Sequence, residues 1–451
     1  MQRLSPLDLM ALWPDEVGQW QDMGAIAVVG PRPDGLAFDD AWVDALRWHV
    51  ASRLDRTPRL RQVLHVPPPG LGRPLWVDAQ RFDVRDHVRV HPVPAPGTER
   101  QVLDAVEDLR RRRLDPARPL WQAWLLTGVD DGARCALYLR VHHALADGPS
   151  AVMMIAALHF DAEPRQSLEG PPPSPWTPEP TPPARELLRD NLQHCGACLA
   201  QTLEHARHPR GLTSRARRAV ATLRTMQAGA EPPSGLLAPL GAGRRLAVVS
   251  TDVDTLASAA RTEGGTVNDA LLAVIAGGVR TLLAARGQRV GGLELRAIVP
   301  VALPHAEGDD TGNRLGQIIV PLPVGTPGVR DRLATITART RDLKPAATTR
   351  RPVVLRGRRL QRTAMRFAAR QRLYSVYVAN LPGPRTPLHL LDAPVAALSP
   401  VVPLLGNLTL GVGALSYAGD FSILTVADRD TCPDLDVFVD GLTQALAELR
   451  G

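Results

Sequence analysis

The sequence predicts a mixed α/β chain in two lobes, and three observations lead there. Its 451 residues exceed what one hydrophobic core usually serves. Strand-like and helix-like apolar patterns interleave in both halves. Between Asp161 and Pro183 prolines crowd together (PPPSPWTPEPTPP), a composition that favours extended polyproline backbone and marks a linker.

Taken in order, LSPLDLMALW sets Ser5 as a helix cap with Pro6 at the first helical position. The apolar run GAIAVVG from Gly24 is a strand. From Phe38 to Arg53 apolar residues recur at helical spacing, and LRQVLHV from Leu60 is a strand closed by a PPPG turn. Residues 99–113 are helical again. LWQAWLLTGV from Leu120 and CALYLRVHH from Cys135, parted by Asp130-Asp131-Gly132, form a hairpin. Its second strand runs into HHALADG and a helix from about Ser150 to His159. Residues 184–230 carry arginine and alanine in helical register, and from Arg245 strands and helices alternate through to Arg450. The stretch 393–418 is long enough to span a bilayer, but Pro400, Pro403, Gly406, Gly411 and Gly413 break any helix there. It is assigned to core sheet. The expected organisation is an N-terminal lobe over 1–160, the proline-rich linker over 161–183, a helical connecting segment over 184–244 and a C-terminal lobe over 245–451.

Composition excludes several classes. Apolar residues are 44% and charged residues 22%, which fits neither a disordered chain nor an integral membrane protein. The net charge is +7, and Lys344 is the only lysine, so the positive charge is almost all arginine. With 42 prolines besides, that bias reflects composition pressure more than a surface built for nucleic acid. No basic stripe is interleaved with aromatics, which are only 4% of residues. A phosphate-binding P-loop, a protein kinase and a pyridoxal enzyme each need a lysine that Lys344, in Asp-Leu-Lys-Pro, does not supply. Neither G-x-S-x-G, H-E-x-x-H nor G-x-G-x-x-G occurs. Four cysteines in so long a chain make no disulfide framework, and no signal-peptide pattern is read at the start, so a reducing cytoplasm is expected.

The chemistry concentrates in His142-His143-Ala144-Leu145-Ala146-Asp147-Gly148, at the end of an apolar strand and the start of a helix. An imidazole there can take a proton from a hydroxyl, since its ordinary pKa of about 6.5 leaves it mostly neutral at pH 7. Asp147 can brace the loop, and Gly148 lets the backbone turn tightly. On adjacency alone, a surface turn with two incidental histidines is an equal alternative.

HHALADG matches the HHxxxDG signature of the acyl-CoA-dependent acyltransferase superfamily, and the chain resembles the bacterial wax ester synthase/diacylglycerol acyltransferase family over nearly its full length. The ordered blocks that carry the resemblance are LSPLDLMALW, GLGRPLWVD, RPLWQAWLLTGV, TVNDALLAVIAGGVRTLL, LRAIVPVALP, GNRLGQIIVPLP, VANLPGP and LSYAGDFSILTVADRDTCPDL. The resemblance implies a two-lobed, chloramphenicol-acetyltransferase-like α/β fold with mixed sheets and a tunnel between lobes. It implies acyl transfer from acyl-CoA, as co-substrate and without a resident cofactor, to diacylglycerol or a long-chain alcohol. The product would be triacylglycerol or wax ester. His143 would be the general base, with His142, Asp147 and Asn268 beside it in the catalytic set and Asn268 offering an amide to the oxyanion. The bland alternative for Asn268 is a helix cap after Thr266. Gly148, Arg296 and Asp269 would support the site, Arg296 as the partner of Asp147. Trp121, Asn313 and Asn380 would contact substrate.

Departures from the family's usual pattern fall at Ala302-Leu303-Pro304, Gly316 and Leu381, so they bear on acceptor choice and tunnel shape. The alternatives kept are the same chemistry on a secondary-metabolite hydroxyl and a lipid-binding protein without catalysis. A third is a metal-dependent hydrolase. Cys195 and Cys198, near His194, His205 and His208, are too tightly spaced for the usual zinc arrangement and read as thiols packed on one helix face, so no metal is expected. Two arginine-rich stretches, Arg207–Arg224 and Arg350–Arg372, suggest contact with lipid head groups or coenzyme A phosphates. The expected location is therefore the cytoplasm, with peripheral attachment to the membrane or to lipid droplets.

Overall fold

The computed structural model describes residues 2–12, 14–15, 21–145, 154, 156–165, 167–168, 170, 172–206, 234–302, 315–347 and 370–450. The helices are α1 (Pro6–Leu12), α2 (Asp40–Ala51), α3 (Glu99–Arg110), α4 (Ala184–Ala206), α5 (Val253–Thr262), α6 (Val267–Ala285), α7 (Val329–Ala347) and α8 (Leu435–Arg450). The strands are β1 (Gln2–Arg3), β2 (Asp22–Val29), β3 (Gln62–His65), β4 (Leu75–Asp78), β5 (Val88–Pro92), β6 (Trp121–Val129), β7 (Arg134–His142) and β8 (Arg244–Asp252). They continue with β9 (Leu295–Ala302), β10 (Leu315–Leu322), β11 (Val376–Pro382), β12 (His389–Leu390), β13 (Ala393–Val401), β14 (Leu410–Tyr417) and β15 (Asp420–Asp428).

Local chemistry sets several of these boundaries. The Ser5 N–H donates to Asp8 while the Asp8 N–H donates to the Ser5 hydroxyl, a reciprocal cap for α1. The β6–β7 hairpin turns through Asp130, Asp131 and Gly132 at φ of 49°, 53° and 91°, a left-handed run that Asp and Gly tolerate best. The strand expected from Leu60 begins only at Gln62, because Pro58 opens a 3₁₀ turn over Pro58–Arg61.

Two six-stranded sheets carry the lobes, in the orders β12-β13-β2-β7-β6-β5 and β10-β9-β11-β14-β15-β8, and a small third sheet joins β1, β4 and β3. The first sheet is not made from one half of the chain. β13 pairs antiparallel with β2, from Val395 opposite Val29 to Val401 opposite Gly24. The C-terminal lobe expected over 245–451 therefore lends two strands to its neighbour. From that position the alternate β13 residues Leu398 and Pro400 face the space between the lobes. A shared core seals the junction, with Ile26, Trp124 and Tyr138 from one side against Leu246, Leu424 and Val426 from the other. Across it, Arg100 donates to the Leu246 carbonyl at 2.8 Å.

The stretch 393–418 is sheet, as expected, forming β13 and β14. Among the described residues, α6 is the one helix long and apolar enough to cross a membrane, but it is buried in the C-terminal lobe against α7 and α8.

His87 is buried in the N-terminal lobe between the rings of Phe82 and Trp121, at 5.0 and 4.5 Å, and donates from Nδ1 to the Trp121 carbonyl. Burial lowers its pKa to about 4. Between that value and the unfolded value near 6.5, the unfolded chain binds a proton that the folded chain refuses, so stability falls as pH is lowered through this window. At pH 4.5 the loss from His87 comes to roughly 2–3 kcal/mol. Urea midpoints at pH 7 and 4.5 check it: the acid loss should be clearly smaller in His87→Phe, and an equal loss would assign the acid sensitivity elsewhere.

Candidate active site

The two adjacent histidines sit at the end of β7, where side chains alternate between the two faces of the sheet. Leu139, Val141 and His143 face one way, into a cavity of about 290 Å³ between the lobes. Arg140 and His142 face the other way. The His143 N–H donates to the Gln21 carbonyl at 2.9 Å, which carries the β2–β7 ladder one residue beyond the strand. One period-2 step thus separates two imidazoles that are neighbours in sequence.

The cavity is walled by β2 (Met23 to Ala25), β7, β11 (Tyr377 to Pro382), β13 and the loop after it, with Pro300, Phe160 and Leu415 closing the sides. His143, Tyr377 and Asn380 are the only polar side chains among the described residues lining it. Burial pushes the Tyr377 hydroxyl up to about 12, so it keeps its proton at neutral pH and can donate. At Gly24 an added Cβ would lie 2.2 Å from the Leu139 carbonyl oxygen, so only glycine lets β2 pass this close to β7 on the cavity wall.

On the far face, the end of the sheet beside the motif is polar and paired. His142 is buried, its Nδ1 accepts the Ala144 N–H at 3.0 Å, and its Nε2 lies 3.0 Å from Asp15 Oδ2. Because a backbone N–H only donates, Nδ1 is the unprotonated nitrogen and Nε2–H donates to the carboxylate. Both ring nitrogens are committed, so His142 is not placed to take a substrate proton. Beside it, Arg140 is 1% exposed and reaches Asp22 through Nε and Nη2. Arg140 also donates to the carbonyls of Leu109 and Arg110, at 3.0 and 3.2 Å. Those are end carbonyls of α3, where the regular helix ladder runs out; the Leu109 carbonyl also takes the Arg112 N–H at 3.3 Å.

The other residues named from sequence are scattered. Asn380 joins His143 on the cavity, as does Leu381, one of the departures from the family pattern. Trp121 does not: it is 2% exposed, stacks on His87 and donates from Nε1 to the Leu60 carbonyl at 2.8 Å. It is a core residue of the N-terminal lobe. Asn268 is the second residue of α6, half-buried and away from the cavity lining. The cap there is Thr266, whose N–H and hydroxyl both donate to Asp269 Oδ2, at 2.8 and 2.7 Å. Asp269 Oδ1 also accepts from Thr340 on α7, so this buried carboxylate ties two helices together. Arg296 lies four residues before Pro300 on β9. Asp147, Gly148 and Asn313 fall outside the described residues, as do most of the two arginine-rich stretches and the side chains of Cys198, His205 and His208. Cys195 is exposed on α4. Sequence reasoning missed Asp15 and Tyr377. For Tyr377 the signal was there, since the alternation in Val376–Pro382 puts Tyr377 and Ala379 on one face.

Two sheets around an apolar cavity, the first completed by strands from the second half of the chain, with an imidazole at the cavity wall, are the frame of a two-lobed α/β acyltransferase. The chain belongs to the wax ester synthase/diacylglycerol acyltransferase family: the catalytic-domain model of that family matches residues 4–271, and its C-terminal-domain model matches residues 311–450. A putative diacylglycerol O-acyltransferase of Mycobacterium tuberculosis is 30% identical over 95% of this chain and 92% of its own. A second, from Mycobacterium bovis, is 28% identical over 100% and 96%. Among solved structures, the wax ester synthase/diacylglycerol acyltransferase of Marinobacter aquaeolei VT8 superposes with a TM-score of 0.70 at 25% identity, covering 100% of this chain and 99% of that one. Polyketide synthase associated protein 5 of Mycobacterium tuberculosis shares the fold, with a TM-score of 0.57 at 19% identity over 99% and 98%.

Proposed function

We propose that this acyltransferase moves a fatty acyl group from acyl-CoA to the hydroxyl of diacylglycerol or a long-chain alcohol, with His143 as general base. The observation that carries it is the imidazole of His143 at the wall of an otherwise apolar cavity between the lobes. The relatives named as diacylglycerol O-acyltransferases support the choice of acceptor.

In the reaction, the acceptor hydroxyl gives its proton to His143 as its oxygen bonds to the thioester carbonyl carbon. The tetrahedral intermediate then expels the coenzyme A sulfur. That thiolate takes the proton back from the imidazolium, leaving ester, free coenzyme A and neutral His143, so no resident cofactor is required. The intermediate's negative oxygen needs a donor, and among the described residues the Tyr377 hydroxyl and the Asn380 amide are the other polar groups lining the cavity. The enzyme would work in the cytoplasm, at the surface of a membrane or lipid droplet where both substrates concentrate.

The test is coenzyme A release from palmitoyl-CoA, alone and with dioleoylglycerol or hexadecanol, with the lipid products extracted and identified. Release that depends on one of these acceptors, with the matching triacylglycerol or wax ester, is expected. Release that no lipid alcohol stimulates, at any acyl chain length, would refute this substrate assignment.

A further inference from the structure

We infer that Asp15 is the positioning residue for both histidines of the HHxxxDG motif, acting on each through a different carboxylate oxygen. Oδ2 accepts from His142 Nε2 at 3.0 Å, and Oδ1 accepts the Gln21 N–H at 3.2 Å. The Gln21 carbonyl in turn receives the His143 N–H at 2.9 Å. One carboxylate, 127 residues upstream of the motif, therefore sets the ring of His142 directly and the backbone of His143 through one intervening residue, Gln21. Asp15, Gln21 and His142 are 9%, 6% and 2% exposed, so the relay is shielded from competing water.

Among the described residues, two sets of charges stand near Asp15. Arg113 Nη2 lies 3.7 Å from Oδ2, and the Asp22–Arg140 pair stands beside it on the same face of the sheet. The carboxylate form is what the geometry requires, because both groups it meets are donors. An asparagine of the same shape has one acceptor oxygen and one amide nitrogen. Whichever way it turned, an N–H would oppose either His142 Nε2–H or the Gln21 N–H. The His142 ring cannot swap tautomer to escape, since its Nδ1 would then carry a proton against the Ala144 N–H. None of these groups lines the cavity that holds His143, so substrate contacts are untouched by the change.

The inference rests on His143 being the base, and the experiment separates the two. Asp15→Asn and Asp15→Glu are compared with the unchanged protein in steady-state acyl transfer. The imidazole tautomers are read in parallel from ¹⁵N-detected two-bond proton correlations on histidine-labelled protein, with His142 assigned from His142→Gln. Asp15→Asn is expected to lower kcat by about 10–100-fold, by analogy with groups that orient metal-ligating side chains through one intermediary. Its KM for acyl-CoA should stay within about threefold, and the Nε2–H signature of His142 should be lost or split. Asp15→Glu restores two acceptor oxygens, and the cavity of about 20 Å³ beside Asp15 and His142 leaves space for the longer chain, so kcat should recover most of the loss. Unchanged kcat in Asp15→Asn would overturn the inference, and so would a fall in kcat with an intact His142 signature. If instead the tautomer changes as described while turnover proves independent of His143, the relay stands and the assignment of the base falls.

Discussion

Replacing His143 with alanine is expected to lower kcat by about 10²–10⁴-fold, the range over which a positioned general base contributes. The fold should survive, because the His143 side chain faces the cavity and the bond that holds this residue to the Gln21 carbonyl is made by backbone. The thermal midpoint should therefore stay within a degree or so, and acyl-CoA should still bind. The neighbouring change has a different signature. His142→Ala leaves a buried carboxylate facing nothing at Nε2's former position, so it should lose stability as well as activity. Single-turnover acyl transfer and thermal melts on the two variants discriminate them. A His143→Ala enzyme with kcat within threefold of the parent would remove this residue from the chemistry.

Arg140→Ala carries the largest expected cost in stability. It removes the partner of Asp22, 5% exposed, and strips the end carbonyls of α3 of two donors. Breaking a buried pair from one side typically costs about 3–5 kcal/mol, because the remaining charge stays buried and uncompensated. Arg140→Lys should recover little, since one ammonium cannot reach a carboxylate and two carbonyls in the planar spread a guanidinium offers. Urea unfolding at pH 7 checks this, and a loss below about 1 kcal/mol in Arg140→Ala would show that water takes over the arginine's role. Asp22 directly precedes the cavity residues Met23 and Gly24, so the melt should be accompanied by reduced turnover.

Much of the architecture was legible because it is local. The Asp-Asp-Gly turn, the apolar runs that became Trp121–Val129 and Arg134–His142, and the Ser5 cap are all short-range patterns, and each produced the element expected. The motif histidine reached the cavity for the same reason, as one more step of a strand already visible. What sequence could not supply is whatever depends on chain segments meeting from far apart. Asp15 meets His142 across 127 residues, and nothing in a lone aspartate announces that. Trp121 shows the opposite error. Its place in a family block suggested substrate, but the first position of β6 turns it into the lobe's core, where Leu60 satisfies its N–H. Asn268 stands next to two residues that already close the helix end, so its amide is not needed as the cap. The cavity wall made by β13 was equally hidden, because a strand in the second half gives no sign of which sheet it will join.

That strand has a consequence for how the protein comes into being. β2 is about 370 residues ahead of its partner β13. At roughly 5–20 residues per second, a ribosome exposes β2 on the order of 20–75 s before the strand that covers its open edge has been made. Throughout that interval the nascent N-terminal lobe presents an unpaired apolar edge, the kind of surface that invites other chains. β13, the last-made strand of the N-terminal sheet, also builds part of the cavity wall, so sheet closure and the walling of the active site both come late in synthesis.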